Sequence, residues 1–326
     1  MASGKVRLIG DIGGTNARFA IAVNGEYQQQ KSYLTEQYAG LDSAISAYLA
    51  TLPPNLQPAE AVIAIAGPAE GEQIRLTNSH WEFSTTALAR QFKLSRLVAL
   101  NDFTANAFAL PYLRPDEFRQ IGGGTAQAGA PIGILGPGTG LGVSGLLRGA
   151  DGTYAALSGE GGHGTMPAAD AADAAILAEL ATRMDHVSAE RVLSGEGLVN
   201  LYEALCALDG HKPAKLTPAE VTDDSSGDTR RAAAVERFCA MLGTVAGNLA
   251  LTIGAKGGIY IAGGIVPKLG PRFDRSQFRR RFEAKGRMQV YLAPIPTFVI
   301  THPDPALIGL ARLPDSALRD APVAQA

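Results

Sequence analysis

The sequence has little of several features that mark specialised protein classes. Its 326 residues include 2 cysteines and 1 tryptophan, and the formal net charge is only −2. Two cysteines without a CxxC spacing form neither a zinc site nor a disulfide framework, so Cys206 and Cys239 are expected to be buried reduced thiols. The nearly balanced charge gives no electrostatic reason to expect nucleic acid or an anionic membrane as a partner.

Long apolar runs are also missing. No window reaches the length of a membrane span, and the N-terminal residues MASGKVRLIGD lack the charged and apolar regions of a signal peptide. We therefore expect a cytoplasmic protein with no membrane partner. The concentrated basic segment Arg279, Arg280 and Arg281 is flanked by Phe278 and Phe282 at helical spacing, which predicts a solvated helix face rather than a binding patch.

The length suits about two domains, each with its own core. Short apolar runs alternate with segments of helical periodicity, such as residues 41–49 and 196–208. The candidate strands are VRLIG, AVIAIAG, RLVAL, PIGIL, GIYIA and TFVIT. This alternation predicts α/β architecture with buried strands.

Two glycine-rich segments share one plan. After GDIGGT at residues 10–15, the chain reads as two strands around Asn24 and Gly25, a strong hairpin signal. Residues 131–157 repeat the order: a strand, a glycine turn, a second strand, a turn at Asp151 and Gly152, and a third strand. The matching order predicts two halves built alike.

A GxGxxG pattern occurs at Gly140, Gly142 and Gly145, but a dinucleotide fingerprint must lead into a helix, and here a strand follows. The P-loop pattern GxxxxGK[ST] is absent. Between two strands, the peptide N–H groups of a glycine turn can form an anion site without a helix. The alternative, glycines that serve only as tight turns, is less favoured because the turn occurs twice in matching contexts.

Asp11 lies directly before the first glycine pair, where a bare carboxylate would repel a polyphosphate. A cation between them removes this conflict, and Mg²⁺ binds through one or two carboxylates together with substrate phosphates. Thr15 adds a hydroxyl donor to the same turn. The sequence therefore predicts a Mg·nucleotide site, with Asp11 acting on the metal through water.

The motifs DIGGTNAR, GPGTGLG and IAGGI resemble the phosphate and adenosine elements of the actin, hexokinase and Hsp70 ATPase superfamily. More narrowly, LNDFTANAFA, LSGEGGH and HVSAERVLSGEGLVNLY resemble the bacterial glucokinase family, and the similarity covers nearly the whole chain. The resemblance implies an α/β, two-lobed actin-like ATPase (ribonuclease H-like) fold with duplicated domains and an interlobe cleft. It also implies transfer of the γ-phosphoryl group of Mg·ATP to the 6-hydroxyl of glucose.

The nucleotide site implied in this way includes both glycine turns and the later IAGGI. The expected residues are Gly10, Asp11, Ile12, Gly13, Gly14, Thr15, Gly138, Thr139, Gly140 and Gly142 for the phosphates, and Gly263 and Gly264 for the nucleoside. Because a glycine turn accepts any polyphosphate, ATP, ADP and inorganic polyphosphate remain open as donors.

Asn101 and Asp102 follow the strand RLVAL and precede a helical pattern, and ligands of α/β sheets gather at such strand ends. Phosphoryl transfer needs a carboxylate to accept the proton of the attacking hydroxyl. Asp102 is the candidate catalytic base, in the position that the glucokinase family uses. The alternative is that Asp102, or equally Asn101, caps the helix.

Glu160 and His163 lie in a segment too rich in glycine for a helix, whereas Glu190 lies near an expected helix start, where an acid is favoured by the helix dipole alone. The resemblance instead assigns Asn101, Asp102, Glu160, His163 and Glu190 to the glucose hydroxyls.

The remaining expectations also follow the resemblance. Broader sugar-kinase relatives carry a zinc-binding cysteine cluster after the EGGH-like loop, but this chain has GTMPAADAAD there, so no zinc is expected. The predicted small domain is residues 1–112 plus 303–326, the large domain is 113–302, and the assembly is a homodimer. A kinase for another hexose, or a non-catalytic sugar or nucleotide sensor on the same fold, remains the alternative.

Overall fold

The computed structural model describes residues 5–67, 69, 71–76 and 79–318. The chain divides into two compact units, the first with residues 1–113, 149–158 and 302–326, and the second with 114–148 and 159–301. Each unit has its own apolar core. The predicted division, 1–112 plus 303–326 against 113–302, differs from these units mainly at residues 149–158.

The first unit is a five-stranded sheet with helices. Its elements are β1 (Arg7–Ile12), β2 (Asn16–Val23), β3 (Glu26–Leu34), α1 (Leu41–Leu49), β4 (Glu60–Ile65), β5 (Gln73–Arg75), β6 (Glu82–Ser84), α2 (Thr85–Gln91), β7 (Leu97–Asn101) and α3 (Asp102–Ala109). The sheet order is β3-β2-β1-β4-β7, with β1, β4 and β7 parallel and β2 and β3 antiparallel to their neighbours. The hairpin expected around Asn24 and Gly25 is confirmed.

The second unit repeats this arrangement. Its strands are β8 (Phe118–Ile121), β9 (Ile132–Pro137), β10 (Leu141–Arg148), β12 (Ile259–Ile261) and β13 (Thr297–Ile300). Its helices are α4 (Ala171–Ala181), α5 (Gly195–Leu208), α6 (Pro218–Thr222), α7 (Thr229–Ile253), α8 (Ile265–Leu269), α9 (Pro271–Asp274), α10 (Phe278–Glu283) and α11 (Gln289–Leu292). The strand β11 (Tyr154–Leu157), which follows β10 in the sequence, belongs to the first unit. Within the unit, the strands run in the order β10-β9-β12-β13-β8. The strand β9 pairs antiparallel with β10 and parallel with β12, as β1 does with β2 and β4.

Residues 149–158 group with the first unit because β11 packs against α3. The Oγ1 atom of Thr104 in α3 lies 3.1 Å from the Oγ atom of Ser158. This short segment therefore supports the helix that begins with Asp102.

The helix α12 (Pro305–Arg312) packs against α3 as well as β1 and β3. Gly309 lies so close to the carbonyl oxygen of Ala105 that no side chain fits between the two helices. Farther along, Arg7 and Arg96 both bind the fully buried carboxylate of Glu60, and their guanidinium groups donate to backbone carbonyls of residues 313 and 318. The C-terminal segment is thus tied into the first unit.

The expectation of a solvated basic face at residues 279–281 is wrong for two of its three arginines. The Arg279 and Arg281 side chains are only 14% and 11% exposed. Arg281 pairs with Asp170 and with the fully buried Asp173, and Arg279 pairs with Glu283. The Arg281 guanidinium joins α10 to the start of α4, whereas the Arg279 guanidinium donates to the carbonyls of Ala293 and Ile295.

The two cysteines are buried and free, as predicted. Burial raises the pKa of the Cys239 thiol to about 12. Of the helices that the structure describes, none combines the length and the apolar character needed to cross a membrane.

Gly309→Ala should destabilise the protein because the new Cβ would overlap the Ala105 carbonyl, a backbone atom that cannot move aside. We expect a loss of about 1–3 kcal/mol, typical of overpacked cores, measured as a lowered midpoint of thermal unfolding. Gly123→Ala is the matched control, because that position has open space around it. Equal midpoints for the two variants would contradict this account of the contact between α3 and α12.

Candidate functional site

The first glycine turn, residues 13–15, joins β1 to β2. The Gly13 N–H donates to the Asn16 carbonyl at 2.9 Å. Thr35, just after β3, donates from its hydroxyl to the Gly14 carbonyl at 2.6 Å and from its N–H to the Thr15 carbonyl at 3.0 Å. These bonds fix the shape of the turn, and Thr35 is a supporting residue that the sequence did not reveal.

Gly10 and Ile12 precede this turn and lie within β1, where both are buried. A Cβ at Gly10 would meet Ile63 and Phe19, each at 3.1 Å, so the missing side chain makes room for core packing. Only the backbone of these two residues could approach a ligand. The side chain between them, on Asp11, points to the opposite face of the strand.

Asp11 is part of a row of three charges. Its Oδ2 lies 3.3 Å from Arg18 Nη1, and Arg18 Nε lies 3.0 Å from Asp304 Oδ1. Gln30 Nε2 donates to the other oxygen of Asp304 at 2.8 Å. Burial raises the pKa of Asp11, Arg18 opposes the rise, and the negative charge of Asp304 adds to it.

Arg18 and Asp304 were not among the predicted site residues. Arg18 could have been found from the hairpin, since Asp11 and Arg18 are directly opposed partners across β1 and β2. No local sequence pattern indicates Asp304, because it lies nearly three hundred residues away from Arg18 in the sequence. Only the packing of α12 against the sheet brings it there.

The second glycine turn, residues 138–140, joins β9 to β10. The Gly138 N–H donates to the Gly140 carbonyl, and the Gly195 N–H donates to the Gly138 carbonyl, both at 2.8 Å. Thr139 is exposed at its tip, and Gly142 lies in β10 opposite Gly136. The N-terminus of α5 thus holds this turn.

Gly263 and Gly264 follow β12, the parallel neighbour of β9. Gly263 has a φ of 83° and lies directly against the backbone of Pro137, so both its conformation and its surroundings require glycine. Gly264 precedes α8 and has open space beside it. The structure therefore brings the predicted nucleoside residues next to the second phosphate turn.

Asn101 and Asp102 stand at the junction of β7 and α3. The Asn101 Oδ1 accepts from the N–H groups of Phe103 at 2.9 Å and Thr104 at 3.3 Å, and its Nδ2 donates to the Gly67 carbonyl at 3.1 Å. Asn101 is therefore the N-cap. Asp102 is the first helical residue, and its Oδ1 also accepts from Phe103 N–H at 2.9 Å.

Glu160, His163 and Glu190 come together in the second unit. His163 Nε2 lies 4.0 Å from Glu160 Oε2, and His163 Nδ1 lies 3.9 Å from Glu190 Oε1. Both distances exceed hydrogen-bond length. The alternative for Glu190, an acid favoured by a helix start, is wrong because the next helix begins five residues later at Gly195.

A family model for glucokinase matches residues 8–316. The chain belongs to the glucokinase family. A glucokinase of Nitrobacter hamburgensis is 51% identical over 311 residues, which are 95% of this chain and 97% of that protein. A glucokinase of Aromatoleum aromaticum is also 51% identical, over 96% of this chain and 95% of its own length.

The glucokinase fold is also seen in solved structures. The crystal structure of glucokinase from an Antarctic psychrotroph matches with a TM-score of 0.87 at 36% identity, covering 94% of this chain and 98% of that one.

Among the described residues, no group of three or more His, Cys, Asp or Glu side chains is placed to hold a metal ion. The expectation of no zinc stays a prediction.

Asn101→Ala should lower the free energy of unfolding by about 1 kcal/mol, since the cap of α3 is lost. Asn101→Ser should lose less, because serine also accepts hydrogen bonds from the first turn of a helix. Urea denaturation of both variants measures the difference. If serine and alanine destabilise equally, capping by Asn101 contributes little.

Proposed function

We propose that this glucokinase-family protein transfers the γ-phosphoryl group of Mg·ATP to the 6-hydroxyl of D-glucose, giving glucose 6-phosphate. The observation that carries the mechanism is the junction of β7 and α3, where Asn101 caps the helix and Asp102 adds a carboxylate in its first turn. The identity of about half of all residues with glucokinases over nearly their whole length supports the substrates.

Asp102 is the proposed catalytic base. Its carboxylate accepts the proton of the 6-hydroxyl while the hydroxyl oxygen bonds to the γ-phosphorus. The bond from that phosphorus to the bridging oxygen breaks, and its electron pair leaves with ADP. Asp102 is the first residue of α3, where the helix dipole stabilises negative charge.

The proposed sugar ligands are polar side chains that accept and donate hydrogen bonds to hydroxyls. They are Asn101, Asp102, Glu160, His163 and Glu190. A sugar that lacks a matching hydroxyl leaves a buried partner unpaired, at a cost of about 1–3 kcal/mol for each lost bond. This cost gives the site a physical basis for preferring glucose.

The two glycine turns are the proposed phosphate sites, because their backbone bonds hold the peptide groups in fixed positions. Thr15 and Thr139 are exposed at their tips and supply hydroxyl donors. Gly263 and Gly264 would lie against the nucleoside. Gly10 and Ile12 would contribute only through the backbone that precedes the first turn.

Asp11 fits a magnesium ion bound through water. Arg18 pairs with its Oδ2, and the side chain is 21% exposed, so water can reach it. A single carboxylate together with phosphate oxygens is a common way for proteins to hold Mg²⁺. When bound, Mg²⁺ neutralises charge on the phosphate oxygens. Arg18, which also pairs with Asp304, holds the Asp11 carboxylate in place.

We also propose a homodimer, on the strength of the family resemblance, and a location in the cytoplasm, where the nucleotide substrate is made and used.

The function is tested by assaying sugar 6-phosphate formation with Mg·ATP and a panel of glucose, mannose, fructose, N-acetylglucosamine and no sugar. We expect turnover largely confined to glucose. Turnover on another hexose would show that the protein is a kinase for that sugar and would leave the proposed mechanism unchanged. Binding of glucose and ATP without turnover on any sugar would favour a sensor.

Asp102→Ala and Asp102→Asn should lower kcat by about 10² or more, the usual contribution of a general base. Glucose binding should remain measurable by calorimetry, because four other proposed ligands stay in place. The asparagine variant keeps the size of the side chain and removes only its basicity. Near-normal turnover in either variant would show that Asp102 is not the base.

A further inference from the structure

Glu190 has two carboxylate oxygens that face different parts of the site. Oε2 accepts a hydrogen bond of 2.8 Å from the N–H of Leu141, the residue that follows the second phosphate turn. Oε1 faces His163, at 3.9 Å from its Nδ1. One carboxylate therefore contacts the backbone of the proposed nucleotide site and the proposed sugar site at once.

The backbone of the sugar loop is attached to the same place. The Glu190 N–H donates to the Gly162 carbonyl at 2.9 Å. Gly162 lies so close to the carbonyl oxygen of Leu141 that a Cβ would overlap it. The loop that contains Glu160 and His163 therefore packs against Leu141, the first residue of β10. A displacement of Leu141 would also displace this loop.

We infer that Glu190 couples the two substrates, so that a nucleotide on the second phosphate turn tightens glucose binding and glucose tightens nucleotide binding. The inference rests on the proposed function, which places the sugar at Glu190 and the phosphates at the turn. A phosphate that orders residues 138–140 also fixes the Leu141 N–H, which orients the carboxylate for the sugar hydroxyls. Coupling between two equilibrium binding sites is reciprocal.

Two glycines on this turn provide a matched pair of substitutions. A Cβ at Gly140 would collide with Glu190 Oε2, the movable end of a side chain, so the carboxylate is displaced while the backbone stays. A Cβ at Gly138 meets nothing within 4 Å. Neither glycine has a positive φ. Both changes add one methyl group to the turn, but only one of them touches a sugar ligand.

The first experiment measures the Kd of glucose by calorimetry without nucleotide. Gly140→Ala should raise it about fivefold or more, within the usual range of coupling between sites, and clearly more than Gly138→Ala does. An unchanged Kd in Gly140→Ala, or equal increases in both variants, would overturn the inference. Thermal unfolding of both variants confirms that the comparison is between folded proteins.

The second experiment runs in the opposite direction and does not depend on the glycine variants. Glu190→Asp shortens the side chain by one methylene, so that it cannot keep both contacts. Its Kd for Mg·AMPPNP without glucose should rise about threefold or more, and saturating glucose should no longer tighten the analogue. Glu160→Asp shortens another proposed sugar ligand, which has no hydrogen bond to the turn among the described residues, and its Kd for AMPPNP should rise less than that of Glu190→Asp. Equal effects of the two variants would contradict the role of Glu190.

Binding measurements on the wild-type protein distinguish a failure of this inference from a failure of the proposed function. If it binds neither glucose nor AMPPNP, the proposed function fails. If it binds both, each with a Kd that the other ligand does not change, the function stands and the coupling is wrong.

Discussion

Antiparallel pairing across a glycine turn is the constraint on which the rest of the site depends. In each unit, the strand before the turn lies in the interior of a sheet, parallel to a later strand, and the strand after the turn runs back along its other side. No helix follows either turn along the chain, so backbone N–H groups of the turns themselves would form the proposed anion sites. The return strand also places a second set of side chains opposite the first, and this brings Arg18 to Asp11.

The charges near the first turn show how the fold holds a carboxylate beside the proposed phosphate site. Asp11 and Asp304 repel each other, and burial disfavours the charge of Asp11. Arg18 lies between them and forms an ion pair with each. Removing the arginine would leave two neighbouring carboxylates without their shared positive partner, so the three side chains form one charge network.

Much of the fold could be predicted because its signals are local. Apolar runs, the Asn24 and Gly25 hairpin and the glycine turns depend on neighbouring residues, and the structure confirms them. The pairing of Arg18 with Asp11 could also have been predicted, by counting residues across the first turn. The alternative for Glu190, an acid at a helix start, is wrong because Ser194 provides the N-cap of α5.

The features that could not be predicted depend on partners far away in the sequence. Arg281 looked like part of a solvated face because its partners, Asp170 and Asp173, lie more than a hundred residues away. The ion pair between Asp304 and Arg18 could not be predicted either, because these two residues are also far apart in the sequence. A pattern within ten or twenty residues holds no information about such pairs, which exist only once α10 meets α4 or α12 meets the first sheet.

The position of α12 has a consequence for the order in which the protein is made. Domains generally fold as units during synthesis, starting from the N-terminus. Here the second unit is complete once residue 301 has been made, whereas the first unit still lacks the helix that packs on α3. The helix that begins with Asp102 therefore lacks its α12 neighbour until residues 305–312 have been made. A nascent chain thus carries the proposed catalytic carboxylate in a unit that is still incomplete after the other unit has been made.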